Sequence, residues 1–136
     1  MMSKQLWEIL VPTMFNDGRP VKVAYHRKWD EKVITISGGL TIMPVAKGQW
    51  VSENNQLFKE RMIPVRILAT REEIEHIVDM TIDHYEQLAV LAYKVSDDAI
   101  LKSADKSVIE KWKNKNKIGM RTYDWADVVE ETNEDE

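Results

Sequence analysis

The sequence predicts an α+β domain: an antiparallel sheet with two helices on one face, followed by a helical and acidic C-terminal extension. Three observations carry this reading. Apolar runs with few polar interruptions are closed by proline, glycine or Asn-Asp-Gly turn residues. Two other segments repeat apolar residues every three or four positions. The two kinds of segment follow one another as strand, helix, strand, strand, helix, strand. With 136 residues, 43% of them apolar, and five tryptophans, the chain has the core-forming material of one domain and is not globally disordered.

The first strand is Leu6 to Val11, apolar apart from Glu8 and stopped at Pro12. The turn residues Asn16-Asp17-Gly18-Arg19-Pro20 follow. From Val21 to Ser37, Tyr25, Trp29, Val33 and Ile36 fall at helical spacing with charged residues between them, and Gly38-Gly39 supplies the stop. Leu40 to Met43 is extended, passes Pro44 and reaches Gly48-Gln49-Trp50-Val51. After the polar stretch Ser52 to Gln56, a second extended run covers Leu57 to Ala69. The two runs read as a hairpin in which Pro44 and Pro64 mark bulges or edge positions. Thr70 and Glu73 form a capping box ahead of Ile74, Ile77, Val78, Thr81, Ile82 and Tyr85, so a second helix follows directly. A last strand is expected from Leu88 to Val95.

This order over residues 5–96 is the split βαβ arrangement called ferredoxin-like. Its sheet carries helices on one face only, so the other face must be polar or covered. Trp50, Met62, Leu91 and Tyr93 cannot all point at two helices, and self-association is expected to bury the open face, with a closed trimer as the simplest symmetric solution. Residues 97–136 form the extension. A short helix is expected from Val108 to Lys117, with Trp112 and Trp125 as candidates to dock on the core, and deletion of 118–136 is expected to leave a site built on 5–96 intact.

Composition narrows the chemistry. The chain has no cysteine, which removes disulfides, thiolate nucleophiles and cysteine-ligated metals. A net charge of −4 argues against a nucleic-acid binder, whose affinity rests on Lys and Arg neutralising phosphates. No apolar run is long enough to span a membrane, and the N-terminus lacks a signal-peptide pattern, so a cytoplasmic location is expected. Charge is segregated near the C-terminus: Lys102, Lys106, Lys111, Lys113, Lys115 and Lys117 precede Asp124, Asp127, Glu130, Glu131, Glu134, Asp135 and Glu136. The block pair reads as a solvated helix and a frayed tail, or as a partner-binding arm or basic-acidic clasp.

The histidines do not make a metal site. His76 and His84, with Asp79, Asp83 and Glu86, lack the compact i, i+4 pair of helical metal ligands and read as a solvated helix face. His26 near Trp29 reads as structural. No nucleophile elbow, phosphate loop or dinucleotide fingerprint is present, and neither cofactor nor metal is expected. What remains is a set of polar residues inside apolar segments: Gln49, Lys59, Glu60, Arg61, Glu86 and Gln87. Glu60 is costly in a strand at a subunit contact unless paired. Either it forms an ion pair with a strand or subunit neighbour, or it faces a cationic ligand covered by Trp50 or Phe58.

Leu57-Phe58-Lys59-Glu60-Arg61, Ile63-x-Val65-Arg66-Ile67 and Tyr85-Glu86-Gln87-x-x-Val90-Leu91-x-Tyr93-Lys94 resemble the phage S-adenosylmethionine lyases, also called S-adenosylmethionine hydrolases. The element order matches over roughly residues 7–95, and the residue-level likeness lies in these short stretches. The stretch from Gly39-Leu40-Thr41 to Gly48-Gln49-Trp50 also resembles a group of small bacterial domains of the same fold. The resemblance implies a ferredoxin-like trimer with small-molecule sites between subunits. It implies Glu60 as the strand carboxylate that anchors the cationic part of the substrate and Gln87 as the residue that orients its amino-acid portion. Trp50, Phe58 and Glu86 would contact the substrate, and Thr13, Met14 and Phe15 would line the adenosine side. Phe58 stands where the family tends to carry tyrosine, and Leu88 where it tends to carry an acid. These departures bear on the amino-acid end of the ligand, and imply either a modified S-adenosylmethionine, such as a nucleotide conjugate, as substrate or a loss of activity; the reaction expected is cleavage of S-adenosylmethionine or such a conjugate. The alternatives are a non-catalytic trimer that binds or sequesters a nucleotide-like ligand in the same clefts, and an interaction module working through the Lys-rich helix and acidic tail.

Overall fold

The computed structural model describes residues 3–116 and residue 125. The elements are β1 (Gln5–Pro12), α1 (Val23–Ser37), β2 (Thr41–Ile42), β3 (Ala46–Val51), β4 (Leu57–Ala69), α2 (Arg71–Tyr85), β5 (Ala92–Ser96) and α3 (Lys106–Asn116). β4 pairs antiparallel with β1 from Gln5↔Ala69 to Pro12↔Met62, β5 adds to the far side of β1, and β2 and β3 share the outer edge of β4. The architecture is α+β and ferredoxin-like, as the order of segments predicts.

Alternation along β1 and β4 sorts the two faces of the sheet. Trp7, Ile9 and Val11 on β1 and Ile63, Val65, Ile67 and Ala69 on β4 are buried under the helices, where each large side chain contributes roughly 1.5–3 kcal/mol by leaving water. Trp29 and Val33 from α1 and Ile74, Ile77 and Tyr85 from α2 close the core from above. Trp29 Nε1 donates to Thr81 Oγ1 at 2.9 Å, and that hydroxyl donates to the Ile77 carbonyl at 2.6 Å. α2 starts with the expected capping box: Thr70 Oγ1 accepts from Glu73 N–H, and the Glu73 carboxylate accepts from Thr70 N–H. α1 ends at Gly38, whose φ of 96° places it in the left-handed region that glycine enters without a Cβ penalty.

Several boundaries differ from the sequence reading. α1 begins at Val23, because Val21 is itself a buried core residue ahead of the helix. The edge strand is split into β2 and β3 by Met43-Pro44-Val45. Pro64, expected at a bulge or an edge, lies inside the central strand opposite Leu10. Its carbonyl accepts from Met43 N–H at 2.8 Å, so in an antiparallel ladder its missing N–H points at this same break, where no ladder bond is lost. The last strand starts at Ala92 and not at Leu88, which is 82% exposed in a loop. That loop leaves only the Leu91 carbonyl to join the ladder early, through Leu10 N–H at 3.1 Å.

The core reaches into the C-terminal extension. Trp125 is fully buried, stacked on His26 with ring centroids 4.4 Å apart and edge-on to Trp29 at 6.0 Å. Trp125 thus docks on the core, and deleting 118–136 removes a core side chain. The Trp112 side chain, Lys117 and the acidic residues of the tail lie outside the described residues.

Candidate functional site

Trp50, Phe58 and Glu60 lie together on the β3–β4 hairpin, at the end of the sheet where β1 finishes and the hairpin extends past it. Directly opposed residues of an antiparallel pair point to the same face. The pairs Trp50↔Phe58, Gly48↔Glu60 and Ala46↔Met62 therefore lay an aromatic pair, a carboxylate and a methionine in sequence along the helix-free face. Trp50 and Phe58 stack with centroids 4.6 Å apart and planes 14° from parallel, while Trp50 keeps 39% of its surface exposed. Glu60 is half-buried beside them, and its carboxylate forms no hydrogen bond or ion pair among the described residues. The Met62 side chain lies across Gly48, where an added Cβ would come within 2.2 Å of its methyl carbon.

Two side-chain hydrogen bonds tie the remaining residues to this end. Thr13 Oγ1 donates to the Arg61 carbonyl at 2.9 Å, which fastens the β1–α1 loop next to Glu60. Asn16 Nδ2 donates to the Glu86 carbonyl at 2.8 Å, which fastens the same loop to the end of α2. Glu86 caps α2 in the left-handed conformation, with φ 54° and an exposed side chain. Gln87 N–H donates to the Ile82 carbonyl and its amide Nε2 to the Tyr85 carbonyl, both at 3.0 Å, leaving the amide oxygen as the group available for a ligand. Met14 is half-exposed. Phe15 packs edge-on against Tyr25 at 5.4 Å, with the Arg19 guanidinium 4.8 Å above its ring. Phe15 thus packs against α1 and the core.

Sequence reasoning missed a second polar group on the same face. Glu8 Oε1 accepts from Arg66 Nε at 3.1 Å, and Glu8 Oε2 accepts a short hydrogen bond from the Tyr93 hydroxyl. The signal was present, since Glu8 is the one charge in an otherwise apolar strand. Six residues of β4 separate Arg66 from Glu60, about 20 Å of strand. Leu10, Pro64 and Met62 lie between them and are half-buried.

The histidines divide. His76 is exposed as expected, but His84 is buried: its Nε2 lies 2.8 Å from the Tyr25 carbonyl and its ring stacks on Tyr25 at 4.1 Å. Burial holds its pKa below the usual range against the raising effect of the Tyr25 carbonyl, and the Lys32 and Lys28 charges lower it further. His26 is pushed down to about 4, first by burial and then by the charge of His84. Its Nδ1 lies 2.7 Å from the Tyr85 hydroxyl, whose own pKa burial and the Asp30 charge push up. Among the described residues, no group of His, Asp and Glu is arranged to hold a metal ion, and no helix is long and apolar enough to cross a membrane.

Two shallow grooves, of about 320 and 450 Å³, lie on the helical side, and neither is lined by Glu60 or Gln87. Neither groove is therefore the candidate site.

Comparison with solved structures returns the fold. A phage SAM lyase in complex with S-methyl-5'-thioadenosine superposes with a TM-score of 0.54 at 10% identity, covering 74% of this chain and 95% of that one. The shared fold is ferredoxin-like. The divalent cation tolerance protein Cut A1 from Thermus thermophilus gives 0.51 at 6% identity, covering 79% and 92%. CutA1 from a psychrotrophic Shewanella gives 0.51 at 8%, covering 84% and 96%. No protein-family model and no curated protein matches the chain.

Proposed function

We propose that this protein is a phage-type lyase that cleaves S-adenosylmethionine, or a nucleotide conjugate of it, in clefts between the subunits of a homotrimer. The observation that carries the reading is the Glu60 carboxylate, without a partner among the described residues, beside the stacked Trp50–Phe58 pair on the helix-free sheet face. A carboxylate next to an aromatic face is suited to a cation with an apolar shell, which describes a sulfonium and its neighbouring ammonium. The fold-level likeness to a phage SAM lyase holding S-methyl-5'-thioadenosine supports the same reading.

The reaction suits a chain without cysteine. The methionyl carboxylate of the substrate attacks its own γ-carbon and the bond to the sulfonium breaks. The electron pair goes to sulfur, giving neutral methylthioadenosine and homoserine lactone, and no proton is exchanged. The protein has only to hold the folded conformer and exclude water, a task for which effective molarities on the order of 10⁵ M are available. Glu60 anchors the cationic end, the free amide oxygen of Gln87 orients the ammonium and Trp50 and Phe58 cover the sulfonium. Glu86, Thr13, Met14 and Phe15 border the adenosine side. A second subunit laid on the open face converts this surface into a cleft.

The test is incubation with S-adenosylmethionine and chromatography for methylthioadenosine. Glu60→Gln is expected to lower turnover about 10–100-fold, the worth of one charged hydrogen bond, with unchanged thermal stability. Tight binding without turnover would replace the lyase by a sequestering protein, and absence of binding would sink both readings.

A further inference from the structure

Among the described residues, only Asn55 and Glu86 enter the left-handed region without being glycine, with φ of 61° and 54°. Such a residue is strained and stays there only where its neighbours hold it. Asn55 lies in the β3–β4 turn, whereas Glu86 separates Tyr85, the last residue of α2, from Gln87. On one side Asn16 holds Glu86 by its carbonyl. On the other side the hold is Tyr85, and it is built of rings.

Tyr85 is fully buried, with Tyr25 edge-on to it at 5.9 Å and its hydroxyl 2.7 Å from His26 Nδ1. His26 is fully buried in turn, and Trp125 covers its ring, stacked at 4.4 Å with planes 12° apart. The Tyr85 carbonyl accepts from Gln87 Nε2 at 3.0 Å. A contiguous chain therefore runs from Trp125 through His26 and Tyr85 to Gln87. The stack is not arranged for stability alone: His26 Nε2 and Trp125 Nε1 are buried without a hydrogen-bond partner among the described residues. Aliphatic side chains in the same place would avoid that cost. What the flat rings supply is orientation, since a stacked indole fixes the plane of the imidazole and so aims Nδ1 at the Tyr85 hydroxyl.

We propose that Trp125 is a positioning residue: through His26 and Tyr85 it holds the turn after α2 and thereby fixes Gln87. The physical warrant is the unbroken run of contacts, each of which a substitution can cut. The consequence for substrate rests on the lyase reading, in which Gln87 orients the ammonium. The strut itself does not.

Amide exchange followed by NMR in the full-length chain reads the strut without any ligand. Gln87 N–H donates to the Ile82 carbonyl, and at the opposite end of α2 Ile74 N–H donates to the Thr70 carbonyl, both at 3.0 Å. Trp125→Ala is expected to speed exchange at Gln87 about tenfold relative to Ile74, the worth of one lost hydrogen bond. Tyr85→Phe removes only the hydroxyl that faces His26 and should do the same, while the two changes together should add little. Trp125→Phe, which keeps the stack, should restore most of the protection. Val33→Ala truncates a buried α1 residue outside the chain of rings and should destabilise the fold without changing the ratio. An unchanged ratio in Trp125→Ala and Tyr85→Phe, or an equal change in Val33→Ala, overturns the proposal. With S-adenosylmethionine as probe, KM should rise about tenfold in Trp125→Ala and rise no further when Gln87→Ala is already present. A raised exchange ratio with unchanged KM overturns the link to substrate. A raised ratio in a protein that neither binds nor cleaves S-adenosylmethionine sinks the lyase reading and leaves the strut standing.

Discussion

Replacing Trp125 by alanine tests whether the C-terminal extension belongs to the fold. The indole is fully buried, stacked on His26 at 4.4 Å with planes 12° apart and edge-on to Trp29 at 6.0 Å. Loss of a buried tryptophan costs about 3–5 kcal/mol in transfer and cavity terms together. One correction runs the other way: the buried Nε1–H has no partner among the described residues, so its removal relieves a desolvation cost of about 1 kcal/mol or more. The net expectation is about 3 kcal/mol. For a chain of this length that corresponds to a fall in Tm of about 12 °C, and in urea to a drop in midpoint on the order of 1.5 M with unchanged m. Far-UV circular dichroism across a urea series reads both quantities, and Trp125→Phe, which keeps the stack on His26, should recover about half of the loss. A cost under about 0.5 kcal/mol, the level of an ordinary surface substitution, would refute the burial of Trp125.

Three further outcomes are expected. His26 titrates near 4 in the folded protein against 6.5 for the free side chain, so the unfolded chain binds the extra proton first. Stability is therefore full above about pH 6.5 and falls as the pH drops towards 4, by about 1.4 kcal/mol per unit for each such group. His84 is shifted in the same direction, and urea midpoints from pH 7 to 4 should show a shallower fall in His26→Gln. Gly48→Ala places a Cβ within 2.2 Å of the Met62 methyl carbon and forces that side chain aside. It should impair turnover more than Tm, with Met62→Ala in the same chain restoring activity. Thr70→Ala removes the N-cap of α2 and should cost about 1 kcal/mol by thermal denaturation.

Legibility tracked the range of the interaction. The α2 capping box, the Gly38 stop and the two amphipathic periodicities are local, and each was readable from a few adjacent residues. Pro64 was misplaced because its tolerance in a central strand depends on a break in a different strand, at Met43-Pro44-Val45. His84 looked solvated because its sequence neighbours are charged, whereas its burial is decided by Tyr25 on another helix. The Glu8–Arg66–Tyr93 group joins three strands and shows in the sequence only as a lone charge in an apolar run.

The sequence by itself determined the order of elements, hence the fold, and the absence of thiol chemistry, because both follow from residue type and short-range periodicity. Only the tertiary structure decided that Trp50, Phe58, Glu60 and Met62 share the uncovered face, that Thr13 and Asn16 fasten the β1–α1 loop to that end, and that Trp125 completes the core. Each of these depends on which distant segments pair and in what register. In a sheet a shift of one residue reverses every side chain, and that choice is made by the packing of the whole chain.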